Sequence, residues 1–291
     1  MPFPPVSFLY KNLLSMKTNG HPSLEKIRHV QATGDTTLDL NGLQLATLPE
    51  NPGNLSHLER LYLTDNRLTA LPNWIWDLPH LHELYLGGNQ LASLPEELGN
   101  LTQLQTLNLS RNQLTTLPDA IGKLKNLQRL TIHSNPLTQL PGSFSELTRL
   151  ENFQALHTQL QTLPQNFGNL KNLKLLYIGF TQLKALPDEM KNLLHLEELG
   201  LSALPLETVP DWLWELKNLK WLHLNNTSLT KLPEIVGQLS HLEGLFLKKN
   251  SLETLPFALL SMPSLRRVDV SGNPLGQLPA ELGRLSALVF N

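Results

Sequence analysis

The chain has 291 residues, with 23 Lys and Arg against 25 Asp and Glu and a formal charge of −2, so no global field gathers a polyanion such as nucleic acid. It contains no cysteine, which removes disulfides, thiolate metal sites and cysteine nucleophiles together and fits folding in a reducing compartment. The N-terminal stretch MPFPPVSFLYKNLLSMK lacks the charged start and small-residue cleavage pattern of a conventional signal peptide, and no segment approaches the roughly 20 apolar residues that span a bilayer.

The first expected elements are helical. A short helix is expected over Ser7 to Lys17, and a clearer one follows in HPSLEKIRHVQATGDTTLDL: Ser23 can cap it, Glu25 suits its first turn, and Leu24, Ile27 and Val30 share one face before Thr33 and Gly34 end it. Residues 1–34 are read as a helical cap over the open edge of the first strand.

From Asp35 to Ala287 one 23-residue unit is written eleven times, most clearly as LQTLNLSRNQLTTLPDAIGKLKN from Leu104 to Asn126. A period of this length means a supersecondary unit that cannot bury its own apolar face, so neighbours stack to share a core. In LxxLxLxxN the leucines, for example Leu58, Leu61 and Leu63, point inward from a short strand that pairs in parallel with its neighbours. The closing asparagine, at Asn66, Asn89, Asn112, Asn135, Asn250 and Asn273, is expected to bond the turning backbone of its own and the adjoining unit, because a buried unpaired amide is costly. Leu43, Thr158, Thr181, Leu204 and Thr227 stand in its place elsewhere, which predicts an interrupted asparagine ladder between Thr158 and Thr227. The LP step, from Pro49 to Pro279, stops the strand and admits a helical or 3₁₀ turn on the outer side. Leu288 to Asn291 is read as the start of a truncated twelfth unit with no obvious polar cap, where either the last unit exposes its edge and binds something there or the chain ends near its boundary.

On these residues the chain resembles the leucine-rich repeat family, in its 23-residue LPxxI class, and is similar to bacterial members that include pathogen effectors. The resemblance implies an α/β fold: a right-handed horseshoe solenoid, a parallel β-sheet on the concave face and short helices or 3₁₀ turns on the convex face. It implies a protein-interaction scaffold and no particular partner.

In such a horseshoe the strand positions between the leucines face solvent on the concave side. Aromatic and apolar residues gather there in the later units, at Leu156, Leu175, Tyr177, Phe180, Trp221, His223 and Phe246, beside the basic Lys248, Lys249 and Arg267. Clusters of this kind are typical of binding hot spots, although aromatics on a sheet also support one another across strands. Gly200, Ala203 and Gly244 are read as leaving room between the rings for a shallow groove. Tyr62 and Tyr85, with Arg60, Asp65 and Glu83, form a smaller second zone. The matching segments NWIWDL and DWLWEL are read as tryptophans packed on the neighbouring outer turn.

The histidines show no HExxH-type spacing, and His133 and His157 lack a third ligand in their columns. No phosphate loop, GxSxG or kinase-like motif occurs. The reading is a non-enzymatic monomer without cofactor or metal, binding a protein or peptide on its concave face, with no nucleic acid and no membrane span. It is either cytoplasmic or a bacterial effector delivered into a host cell. A self-associating repeat protein and a non-catalytic adaptor of a ubiquitin-ligase complex are the rival readings.

Overall fold

The computed structural model describes residues 22–206, 208–277, 280–283 and 288–289; the helix expected over Ser7 to Lys17 lies outside them. Among the described residues the chain opens with helix α1 (Pro22–Thr33). Proline suits the first helical turn because its missing N–H has no intrahelical partner there. Ser23 therefore lies inside that turn and is buried, instead of standing before the helix as its cap. Ile27 and Val30 are buried, and the helix ends on Gly34, whose N–H donates to Val30 O at 2.9 Å with φ +73°. It packs beside the first strand, with Lys26 Nζ donating to Asp39 O at 2.8 Å.

Each unit then contributes one strand to a single parallel sheet whose order follows the chain, from β1 (Thr37–Asp39) to β12 (Leu288–Val289). Register advances by one repeat at every step, as in Arg60↔Glu83 and Leu61↔Leu84. Beyond the LP step, 3₁₀ turns such as Asn73–Asp77 and Asp119–Lys123 line the outer side. The leucines between sheet and turns make one continuous core, most of them without measurable exposure. After a short helix α2 (Ala280–Gly283), Leu288 and Val289 pair with Val268 and Asp269, so the start of a twelfth unit adds one more strand and β12 is the last of the sheet among the described residues.

The asparagine ladder forms as expected and shows what each rung does. Asn112 Nδ2 donates to Leu86 O at 2.9 Å and Leu109 O at 3.1 Å, while its Oδ1 accepts from Leu91 N–H at 3.0 Å. One amide thus ties two repeats. Two of the threonines satisfy only themselves: Thr158 Oγ1 donates to Ala155 O and Thr181 Oγ1 to Ile178 O, each at 2.9 Å and within its own repeat. Ties resume at Asn250, which accepts from Thr227 and Leu229 and donates to Leu224 O. Replacing Asn112 by alanine is expected to strand buried backbone groups and cost about 2–4 kcal/mol, whereas Thr181→Ala should cost less than half of that; urea unfolding of the two variants checks the difference.

Two other devices occupy the stretch that lacks the amide ties. In the core, Phe153 replaces a strand leucine and packs at a tilt against Phe144 and Phe167, with ring centroids 4.8 and 6.3 Å away. Ala155 makes room beside it. At the entry to the strands, Glu151, Lys174, Glu197, Lys220, Glu243 and Arg266 alternate in charge along one column, pairing at 2.8, 2.6 and 3.8 Å. Such exposed pairs contribute only about 0–1 kcal/mol each, yet opposite charges in alternation disfavour a slipped register.

The turn after each strand adds a feature that was not expected. The eighth residue of every unit has positive φ, including Asp65, Arg111, Ser134, His157, Phe180, Ala203, Asn226 and Lys249. The signal was present in the sequence, because Gly42, Gly88 and Gly272 share that position and glycine is the residue that adopts it without strain. A phenylalanine there, at φ +55°, is held at a cost of about 1–2 kcal/mol.

Candidate functional site

The candidate surface lies on β7 (Leu175–Tyr177), β8 (Glu198–Gly200), β9 (Trp221–His223), β10 (Gly244–Phe246) and β11 (Arg267–Asp269). Residues two apart on a strand share a face, so the parallel register builds two outward rows. One runs Leu175, Glu198, Trp221, Gly244, Arg267 and the other Tyr177, Gly200, His223, Phe246, Asp269.

Within these rows the rings lie sideways over the glycines of the next strand. A Cβ at residue 200 would overlap the Tyr177 ring, and a Cβ at residue 244 would overlap the Trp221 ring. The glycines therefore do not leave an open groove. Their space is filled by the aromatic side chains themselves, which bury one flank of each ring on bare backbone. Tyr177 then reaches His223 across β8 with centroids 5.7 Å apart, His223 stacks on Phe246 at 4.5 Å and 2°, and Trp221 lies 6.1 Å from Phe246. The Arg267 guanidinium sits over the Phe246 ring at 5.5 Å, a cation–π contact. Tyr177, Trp221, His223 and Phe246 are all half-buried, so the result is a continuous aromatic shelf.

Glu198, which was not among the candidate residues, organises one end of that shelf. Its Oε1 accepts from the Tyr177 hydroxyl and lies 3.3 Å from His223 Nε2. Burial, and then the Glu198 hydrogen bond and charge, push the Tyr177 phenol well above its ordinary range, so it stays protonated and donates. Burial lowers the His223 pKa from 6.5 despite the opposing Glu198 contact. The sign follows: the native state favours neutral His223, so its contribution to stability is complete above about pH 6.5 and declines as pH falls through the lowered native value. Comparing unfolding free energies at about pH 7 and about pH 5, His223→Gln should lose less stability on acidification than the unmodified chain.

The other candidates separate from the shelf. Phe180, 46% exposed, stacks on His157 at 4.4 Å in the neighbouring turn, and the half-buried Leu156 directly precedes that histidine. These form a smaller group at the end of the strands, so the single patch expected from the columns is two. Lys248 and Lys249 are exposed just beyond β10. In the second zone Tyr62 and Tyr85 stack at 4.9 Å, with the Tyr62 hydroxyl 3.4 Å from Glu83 Oε2. The tryptophans of the outer turns pack inward, as their matching segments suggested: Trp76, Trp212 and Trp214 are buried, and Trp74 Nε1 donates to Pro49 O of the preceding repeat at 3.0 Å. Among the described residues no three His, Asp or Glu side chains are placed to hold a metal ion, and no helix is long and apolar enough to cross a membrane.

Comparison with known proteins agrees with this architecture. The family pattern described as a leucine-rich repeat region matches residues 73–174, and a leucine rich repeat pattern matches 36–91 and 217–275. Among curated proteins, none matches the chain. Among solved structures, a Leptospira interrogans leucine-rich repeat protein is similar at 36% identity and TM-score 0.85, over 89% of this chain and 66% of that one. A Listeria monocytogenes internalin matches in fold at 20% identity and TM-score 0.70, over 92% and 93% of the two chains. A plant peptide hormone receptor, RGFR1 in complex with RGF2, aligns at 28% identity and TM-score 0.68, over 91% of this chain and 48% of the receptor.

Proposed function

Because this chain belongs to the leucine-rich repeat family, whose fold is a scaffold for protein–protein interaction, we propose that it binds a protein or peptide partner on the concave face, at the shelf of Tyr177, Trp221, His223 and Phe246. The observation that carries this reading is the shelf itself. Four large rings are packed against backbone, locked by Glu198 and Arg267, and left half open to solvent across four strands. Rings fixed in this way lose little conformational entropy on binding, which is the economy seen at interface hot spots. Leu175 extends the shelf on β7, and Lys248, Lys249 and Arg267 form its basic rim. The pair of Phe180 and His157, with Leu156, supplies an outlying contact, in which Phe180 is 46% exposed.

The proposal includes a non-catalytic role, a monomeric state and a bacterial setting in which the partner is a host or cellular protein. The bacterial part is supported by the similarity to the Leptospira protein. RGFR1 in complex with RGF2 shows that a protein of this architecture takes a binding partner. Truncating Trp221 and Tyr177 to alanine should each cost about 2 kcal/mol or more of partner affinity while the far-ultraviolet spectrum stays unchanged. Affinity capture with the double variant tests this: an unchanged set of captured proteins would show that the shelf is not the site.

A further inference from the structure

Resting on the concave-site reading above, we infer that the shelf takes an acidic peptide segment of its protein partner, one whose apolar or aromatic side chain seats against Trp221 and Phe246. The argument is one of charge. In and beside β8 to β11, Glu197 and Glu243 are ion-paired with Lys220 at 2.6 Å and Arg266 at 3.8 Å, while Glu198 is held by Tyr177 and His223 and Asp269 by the Ser271 N–H and hydroxyl at 3.1 and 2.6 Å, hydrogen bonds that leave two negative charges against the three cations of the rim. The cations are not matched in the same way. Among the described residues Lys248, Lys249 and Arg267 enter no ion pair, although all three are exposed, and Arg267 rests on the Phe246 ring.

A basic rim therefore borders the aromatic shelf on a chain whose overall charge is −2. Unpaired cations around a half-buried apolar floor are complementary to carboxylates flanking an apolar anchor. A single-stranded nucleic acid would also bring negative charge, but it needs a basic groove that follows its backbone from base to base. Here the cations border the shelf only beside β10 and β11, and Glu198 lies between Tyr177 and His223 on the path such a strand would take.

The test uses the full chain and fluorescence anisotropy with three pools of short peptides, each with a central Trp, Phe or Leu and with flanks of Asp and Glu, of Asn and Gln, or of Lys and Arg. A labelled single-stranded oligonucleotide serves as a fourth probe. The acidic pool is expected to bind at least about tenfold more tightly than the neutral one and to weaken with added salt. Lys248→Glu with Lys249→Glu should remove that preference while binding to the neutral pool persists, and Trp221→Ala should weaken both. Equal binding of acidic and neutral pools, with Trp221→Ala abolishing each, overturns the acidic preference and leaves the concave site standing. Tighter binding of the oligonucleotide overturns the choice of a peptide. Indifference of every probe to Trp221→Ala overturns the preference together with the concave site.

Discussion

Replacing Phe153 by alanine is expected to lower the unfolding free energy by about 3–5 kcal/mol and to split one unfolding transition into two. The residue has no exposed surface and touches both Phe144 and Phe167, which belong to successive outer turns. In a solenoid each repeat contacts only its neighbours, so stability is approximately a sum of repeat and interface contributions. A weak joint in the middle uncouples the two halves. The joints around Phe153 are also the ones without amide ties, since Thr158 and Thr181 bond only inside their own repeats. The alternating column from Glu151 to Arg266 is too exposed to compensate. Phe153→Leu alone should leave a void beside Ala155 and cost about 1–2 kcal/mol, and adding Ala155→Leu should recover much of it, because the pair then matches the leucines of the other repeats. Guanidinium unfolding followed by fluorescence and by circular dichroism reads the result. Coincident single transitions for Phe153→Ala would show that the aromatic cluster is not what couples the halves.

The solenoid was legible because its cause is periodic: inward leucines at fixed spacing, an asparagine that must find partners, and a proline that must stop a strand. The amide ladder and its gap from Thr158 to Thr227 followed from the same logic. The site was legible only as a list of faces. Tyr177, Trp221, His223 and Phe246 fall in the outward rows by strand alternation alone, but the direction in which each ring leans is set by which neighbour is glycine. That is why Gly200 and Gly244 look like vacancies in the sequence and are instead the beds on which the rings lie. The role of Glu198 is not legible in the sequence, because an outward glutamate on a strand is ordinary and only the fold brings a phenol and an imidazole to the same oxygen. Phe180 falls with the shelf by its place in the repeat, because position in a column says nothing about backbone handedness. Its positive φ turns it toward His157.

Trp214→Ala is the other substitution expected to have a large effect, about 3–5 kcal/mol, and its consequence should extend to the opposite face. Trp214 is fully buried on the turn Asp211–Glu215, at a position occupied by Gly99, Gly122, Gly168 and Gly237 in other repeats. Where glycine stands there, the next outer turn closes onto it: a Cβ at residue 122 would lie 2.7 Å from Ser143 O. An indole in that place is too large for such a close approach and is expected to act as a wedge that holds the following turn away, as is Trp76, buried at the same position near the other end. The Trp214 Nε1 atom is buried without a hydrogen-bond partner, so its retention reflects ring volume and not a polar contact. Trp214→Phe, which keeps most of that volume and removes an unpartnered donor, should therefore cost less than half as much as alanine. The wedge belongs to the repeat that also carries Glu198 and Gly200, directly behind the shelf. Its loss should let the outer turns close and change how β7, β8 and β9 splay, weakening the hold of Glu198 on Tyr177 and His223. Partner affinity should then fall for Trp214→Ala although the residue touches no ligand, and should be nearly retained in Trp214→Phe. Equal loss in both variants would assign the effect to the indole N–H instead of the wedge.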